Sequence, residues 1–439
     1  MTTAPRAWVL PPALVVGMAA ATGVWVLWFV THLPYLRLPE HLTMPVIVAA
    51  WFACFVAAGW NLARRDAWKA GALAGLFSAL VGLPVIGSKL RPQMVEGGPA
   101  DPNVIPAAPA MVLGFVLAGV TLGLVGTFVG SRLRRGDARG SEGVDWLHRF
   151  AWVTCATAAP LLFVGGLVTS VDAGMAVPDW PGTYGSNMFL YPLGPRVPAG
   201  IYLEHAHRLF GTLLGMAAIV LVIWAWCSRH STFVKVWATG LLLFIILQGV
   251  LGGGRVLADS RMMAAFHGVA AQVIFAGLVA LAVFVSPAYP TLLGAGGGGS
   301  KRLRIFATAA LHTTFIQLVF GAIYRQLRHS HVLWTHAAFA MVVLVLAIIA
   351  GFAAMAFLRD AEEPRPGRGI RRAGGLLVGV VFVQFVLGWA AFMVTSGQSL
   401  DTTSIPAALV RTAHQANGAL LVGVAAYLVV MARQVTRAK

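Results

Sequence analysis

Charge is what this chain has least of. Of its 439 residues only 11% are Asp, Glu, Lys or Arg, against 58% hydrophobic. That excludes an ordinary soluble protein of this size, whose surface needs far more charge. Acidic residues are scarcest: 15 Asp and Glu face 32 Lys and Arg, a formal net charge of +17. Such a balance can mark a nucleic-acid binder. Here the basic residues cluster in short loops between apolar runs, where they set membrane topology, and no nucleic-acid partner is expected. Cysteine is nearly missing. Cys54, Cys155 and Cys227 lie in or at the end of apolar runs with no CxxC spacing, which supports neither a disulfide framework nor a thiolate metal site. A cleaved leader is disfavoured as well: the apolar stretch after Arg6 runs on past Trp28 without a break, as a first transmembrane helix would.

What the chain has in abundance is apolar runs. A bilayer crossing takes about 20 apolar residues, and about twelve segments qualify, near 9–31, 43–62, 69–88, 107–130, 149–171, 205–226, 235–254, 262–285, 304–324, 332–357, 374–395 and 407–431. The expected fold class is an all-α polytopic membrane protein. Alternate loops are basic. Arg64, Arg65 and Lys69, then Arg132, Arg134, Arg135 and Arg139, then Arg229 and Lys235 fall on one side. Lys301, Arg302 and Arg304, the stretch Arg359 to Arg372, and the tail Arg433, Arg437 and Lys439 join them. The loop from Ser396 to Ala407 has no Lys or Arg. The positive-inside rule then puts both termini in the cytoplasm.

The segments form three blocks. An N-terminal four-helix module of unassigned role covers 1–140, a first four-helix bundle 148–288 and a second 302–435, the last two separated by the flexible run Gly294 to Ser300. The two bundles read as an internal repeat. Each carries one histidine in its second helix and one in its fourth: His207 and His267, then His336 and His414. All four stand about one or two turns inside the start of their segments, in one outer layer. A second echo, Gln248-x-x-x-Gly252, Gln317-x-x-x-Gly321 and Gln384-x-x-x-Gly388, places Gln and Gly on one helix face and reads as packing glue between helices.

Imidazoles are costly inside a bilayer unless something uses them. A hydrogen-bonded core role has to explain four of them at one depth in a two-fold repeat. Axial ligation of haem iron explains the number and the pairing at once, His207 with His267 and His336 with His414. Zinc fits worse, since it gathers four ligands around a point and no Cys or carboxylate joins the later pair. Glu204, His207 and Arg208 share one helical face, while His205 points elsewhere. Glu204 is a dipole partner for its helix start or a proton carrier one turn from an iron ligand. No acid precedes His336 or His414 in the same way, so the earlier site reads as reactive and the later as electron-transferring. Arg208, Arg255, Arg325, Arg328 and Arg411 are candidate partners for haem propionates, Arg208 and Arg411 foremost. The loop Gly165 to Gly185, with Asp172, Asp179 and Trp180, reads as an ordered irregular turn that covers a cofactor edge or docks a partner.

With these residues in view, the stretch of about 148–435 resembles heme A synthase. The likeness rests on Gly165-Gly166-Leu167-Val168, Asp172-Ala173-Gly174-Met175, Pro178-Asp179-Trp180-Pro181, Glu204-x-x-His207-Arg208, Gln248 with Leu251-Gly252-Gly253, and His267-Gly268. His336, and His414 with Gly418, resemble the family's second half. The resemblance implies two four-helix bundles related by a pseudo-two-fold axis. It implies oxidation of a methyl group of haem O to a formyl group, giving haem A, by successive hydroxylations. His207 and His267 would hold the substrate haem, with Glu204 as catalytic acid. His336 and His414 would ligate a resident haem b that passes electrons, with iron as the metal. The implied setting is the bacterial cytoplasmic membrane. Implied partners are haem O synthase, oxidase assembly factors and an electron donor. Many members carry a cysteine pair where this chain has Val177 and Thr183, and often a basic residue near Ser170, which it lacks. The rival readings are a non-catalytic di-haem b-type electron carrier, which needs neither Glu204 nor the loop motif, and a transporter, for which mid-membrane charges are missing.

Overall fold

The computed structural model describes residues 9–36, 38–62, 66–92, 98–134, 144–194, 197–294, 300–357, 365–395 and 404–437. The expectations placed on Arg64, Arg65, Arg135, Arg139, Arg359, Lys439, linker residues 295–299 and loop residues 396–403 lie outside them. Twelve long helices are present among the described residues: α1 (Leu10–Thr31), α2 (Glu40–Asn61), α3 (Ala67–Gly87), α4 (Ala108–Leu133), α5 (Trp146–Ser170), α6 (Ala199–Cys227), α7 (Thr232–Leu257), α8 (Arg261–Phe284), α9 (Ser300–Leu327), α10 (Ser330–Met355), α11 (Arg365–Thr395) and α12 (Ile405–Val435). All twelve are long and apolar enough to cross a membrane. The shortest has 21 residues, and at about 1.5 Å per residue even this one spans the roughly 30 Å hydrocarbon layer.

Apolar runs locate these helices but understate some of them. Helix α6 starts at Ala199, ahead of the first residue the apolar pattern marks, and α11 starts at Arg365. The added turn of α6 carries Tyr202, Leu203 and Glu204, all buried. The added turns of α11 carry the basic residues Arg368, Arg371 and Arg372. Arg is a good helix former, so the backbone continues where the apolar signal stops.

The chain divides into two compact units. The first comprises residues 1–160 and 174–220. Within it α1, α2, α4 and α3 close a four-helix ring. Small residues let these backbones touch. A Cβ on Gly71 or Gly75 of α3 would collide with Gly123, Gly119 or Thr127 of α4, and one on Gly59 of α2 would strike the Thr127 backbone. With little hydrophobic force between helices in lipid, such close contacts supply the association. Thr127 Oγ1 adds a hydrogen bond to the Ala67 carbonyl at 2.9 Å. The ring is tied to α5 and α6. Thr22 and Thr157 hydroxyls lie 2.9 Å apart. Trp25 packs edge-on to Phe210 and Phe29 stacks on Tyr202. Tyr202 Oη donates to the Phe29 carbonyl at 2.8 Å.

The second unit comprises residues 161–173 and 221–439. Here α9, α10, α11 and α12 close their own ring, with α8 against α9 and α12 and α7 against α8. Leu303, Ala307, Ala310, Ala347, Ala350, Leu377, Leu421, Ala425 and Leu428 form its core. Gly351 of α10 faces Gly374 of α11 closely enough that neither tolerates a Cβ without movement.

Candidate functional site

His336 lies on α10, six residues after Ser330, and His414 on α12, nine after Ile405. These helices are opposite members of the second unit's ring, so the two side chains meet across its interior. Their ring centroids are 6.3 Å apart with the planes 83° to one another. A metal–imidazole bond is about 2 Å, so two rings on opposite faces of one metal have centroids about 6 Å apart. His336 Nδ1 has no hydrogen-bond partner among the described residues and is buried. No group of three or more His, Cys, Asp or Glu that could hold a bare ion occurs among the described residues. The separation of the two imidazoles suits a metal whose remaining positions belong to a planar macrocycle.

Arg411, one turn before His414, is 8% exposed and donates through Nε to the Ala407 carbonyl at 3.2 Å. Arg325 and Arg328 are its neighbours, Asp172 lies near Arg325, and Arg328 packs over the Tyr324 ring. Positive charge is therefore gathered at the end of the ring where α9 finishes and α12 begins.

His267 lies on α8, six residues after Arg261, and is held against α7 by Gly252 and Gln248. His207 lies on α6 one turn after Glu204, half-buried. It belongs to the first unit and His267 to the second.

Glu204 is 3% exposed, and both its carboxylate oxygens accept hydrogen bonds. Arg208 Nη2 donates to Oε1 at 2.8 Å, and the Val177 amide donates to Oε2 at 2.8 Å. Arg208 in turn donates to the carbonyls of Asp179 and Gly182 at 2.8 Å and of Val177 at 3.0 Å. The i,i+4 pair legible in the sequence is thus a clamp on the loop that follows α5. Asp179 organises the loop's turn: its carboxylate accepts from the amides of Tyr184 at 2.7 Å and Gly185 at 2.8 Å. Tyr184 Oη donates to the Ala176 carbonyl at 2.7 Å. Burial, then the charges of Glu204 and Asp179, hold the Tyr184 phenol above its ordinary range, which keeps it a donor.

His205, which points away from Glu204 and His207, is 1% exposed, lies 3.1 Å from the Thr183 hydroxyl through Nδ1, and packs on the Tyr191 ring. Helix periodicity correctly turned it away from Glu204 and His207, but no local signal revealed that the returning loop covers that other face. Tyr191 continues outward, donating to the Gly98 carbonyl at 3.2 Å, while Ser186 Oγ accepts from the Ala100 amide at 3.3 Å. The loop is therefore pinned from α6 on one side and from the segment between α3 and α4 on the other.

One pattern had more meaning than packing alone. Each Gln-x-x-x-Gly pair lies against a histidine of the next helix: Gln248 and Gly252 against His267, Gln317 and Gly321 against His336, Gln384 and Gly388 against His414. The signal was present in the numbering. Gln and His are 19 residues apart in the first two cases and 30 in the third.

Residues 148–336 match the family model of COX15-CtaA, described as cytochrome oxidase assembly protein. This stretch, less than half of the chain, is similar to that family. The matched stretch contains Glu204, His207, Arg208, His267 and His336 and ends short of His414. The chain is 32% identical over 172 residues to the heme A synthase of Halalkalibacterium halodurans, covering 37% of this chain and 56% of that protein. It is 32% identical over 128 residues to the heme A synthase of an Exiguobacterium species, 28% of this chain and 41% of that one. It is 26% identical over 185 residues to that of Geobacillus kaustophilus, 41% and 57% respectively. The chain thus spans about half the length of the curated relatives it matches.

Proposed function

We propose that this protein is a bacterial membrane heme A synthase, oxidising a methyl group of haem O to the formyl group of haem A by successive hydroxylations. The observation that carries the reading is the combination, within the stretch similar to heme A synthases, of a buried acid one turn from a histidine with an opposed imidazole pair further along the chain. The organisation proposed is an N-terminal module at 1–140 followed by bundles at 148–288 and 302–435, with both termini cytoplasmic.

His336 and His414 are assigned to a resident haem b. When bound, that haem supplies one-electron transfer. The chain's contribution there is to oppose two imidazoles inside a dry helical ring and to gather Arg325, Arg328 and Arg411 at its end, where carboxylate-bearing edges need cationic partners. His207 and His267 are assigned to the substrate haem on the family resemblance. Glu204 is assigned the proton-handling role. In the resting arrangement its carboxylate is held by Arg208 and the Val177 amide, which fixes its position; accepting a proton requires loosening one of those contacts. Arg208, with both Nη groups donating to the loop and Glu204, acts first as the loop's clamp. The loop covers this end of α6 and keeps water from it.

The test is pigment analysis of cells that accumulate haem O, with and without this protein. Appearance of haem A supports the reading. Unchanged haem O with a purified protein carrying only b-type haem favours the electron-carrier alternative instead.

A further inference from the structure

Three helices present the same two residues to three histidines, and the details differ in an informative way. A Cβ on Gly252 would lie 2.8 Å from His267 Cε1, one on Gly321 3.0 Å from His336 Cε1, and one on Gly388 3.3 Å from His414 Cε1. In every case the nearest atom is in the imidazole, so the missing side chain is the space the ring occupies. One turn earlier, Gln248 Nε2 donates to the His267 carbonyl at 2.6 Å and Gln317 Nε2 to the His336 carbonyl at 2.8 Å. Gln317 Nε2 also lies 3.5 Å from His336 Nε2, and Gln384 Nε2 lies 3.3 Å from His414 Nδ1 while its Oε1 accepts from Asn417 Nδ2 at 2.8 Å. Asn417 also donates to the Val380 carbonyl at 3.0 Å, which fixes the orientation of the whole set.

General packing between helices would not select one residue type on the neighbouring helix three times. We propose that each Gln-x-x-x-Gly pair is an imidazole cradle: the glycine is a slot that sets the ring's rotamer, and the glutamine locks the register of the histidine's helix against its neighbour. Gln248, Gly252, Gln317, Gly321, Gln384 and Gly388 are then positioning residues that hold the ligands in place before a haem arrives. Preorganised ligands lose less freedom on binding, and the partners that orient a histidine govern affinity nearly as strongly as the ligand itself. The proposal rests on the assignment of His336 and His414 to haem b.

The slots predict a graded series. Adding a methyl group displaces a ring most where the clearance is smallest, so Gly321→Ala disturbs its ligand more than Gly388→Ala does. Gly379→Ala, on α11 with nothing within 4 Å of the added atom, is the matched control. The experiment purifies the full chain from haem-replete cells and reads the haem b to protein ratio, the reduction midpoint potential and the low-temperature EPR spectrum of the oxidised haem. We expect Gly379→Ala to match the wild type, Gly388→Ala to show a shifted EPR signal, and Gly321→Ala to retain about tenfold less haem b. Gln317→Leu keeps the side-chain bulk and removes the hydrogen bond, so it is expected to fold, to elute like the wild type, and to shift the potential and EPR signal with lower occupancy; Gln317→Asn, which keeps an amide donor, recovers part of the shift. Wild-type protein without haem b overturns the site assignment and the cradle together. Wild-type protein with haem b, but with Gly321→Ala and Gln317→Leu unchanged in ratio, potential and spectrum, overturns the cradle alone.

Discussion

Glu204 and Arg208 do two jobs that substitutions separate. A hydrogen bond to a charged group contributes about 1.5–3 kcal/mol, and Glu204 accepts one from Arg208 and one from the Val177 amide. Glu204→Ala is therefore expected to retain bound haem, lose haem A formation and lower the melting temperature by several degrees. Glu204→Gln keeps one acceptor oxygen but sets an NH2 donor against either Arg208 or the Val177 amide, so it melts between Glu204→Ala and the wild type, and it fails to make haem A if the carboxylate handles protons; full activity of Glu204→Gln would remove that role. Arg208→Lys replaces a planar fork with a point donor that cannot serve three carbonyls and a carboxylate together. Limited proteolysis of the loop around residues 174–194 is expected to accelerate in this variant, and an unchanged cleavage rate would contradict the clamp. At this scale the sequence disclosed the i,i+4 pair because helix periodicity alone puts it together. It did not disclose Val177, Asp179 and Gly182 as the other half of the clamp, because those contacts run through backbone atoms that carry no residue signature.

The twelve helices were legible because each must bury its own backbone hydrogen bonds in lipid, which forces an apolar run of bilayer length. Their ends were less legible. Arg365 to Arg372 belong to α11 and Ala199 to Glu204 to α6, and in both places the helix outlasts the apolar run that marks it in the sequence. Also hidden was which glycines matter. Gly75 on α3 and Gly114 on α4 look alike in the sequence, but a Cβ on Gly75 would strike Gly119 while one on Gly114 meets nothing within 4 Å. Gly75→Val is expected to cost about 1–3 kcal/mol or more as the two helices separate, seen as a reduced monodisperse peak on size-exclusion chromatography. Gly114→Val leaves that peak intact. Equal behaviour of the two would mean that the α3–α4 contact does not hold the first ring together.

The twelve candidate spans among the described residues put both termini on one side of the bilayer in the proposed topology, with the basic loops on the cytoplasmic side. Reporter fusions after residue 437 and between 135 and 143 should score as cytoplasmic, and an insertion between 396 and 403 as external; the reverse pattern would overturn the proposed orientation. His414→Ala is expected to abolish the b-type absorbance of the purified protein, and its persistence would assign that haem elsewhere. The N-terminal module was the least legible part of the whole molecule, since nothing in its residues resembles chemistry. Its meaning came from Phe29, Trp25 and Gly98, none of which stands out in the sequence.

Those three residues have a consequence for how the molecule can be cut. The Phe29 carbonyl is the acceptor for Tyr202, which precedes the acid by only two positions on α6. A version begun at residue 144 would strip Tyr202 and Phe210 of Phe29 and Trp25 and Tyr191 of its Gly98 acceptor, loosening the stem of the turn that Glu204 grips. The opening third is thus less an appendage than a splint set beside a fracture-prone joint, and engineers seeking a minimal catalyst would have to rebuild that support before they could discard it.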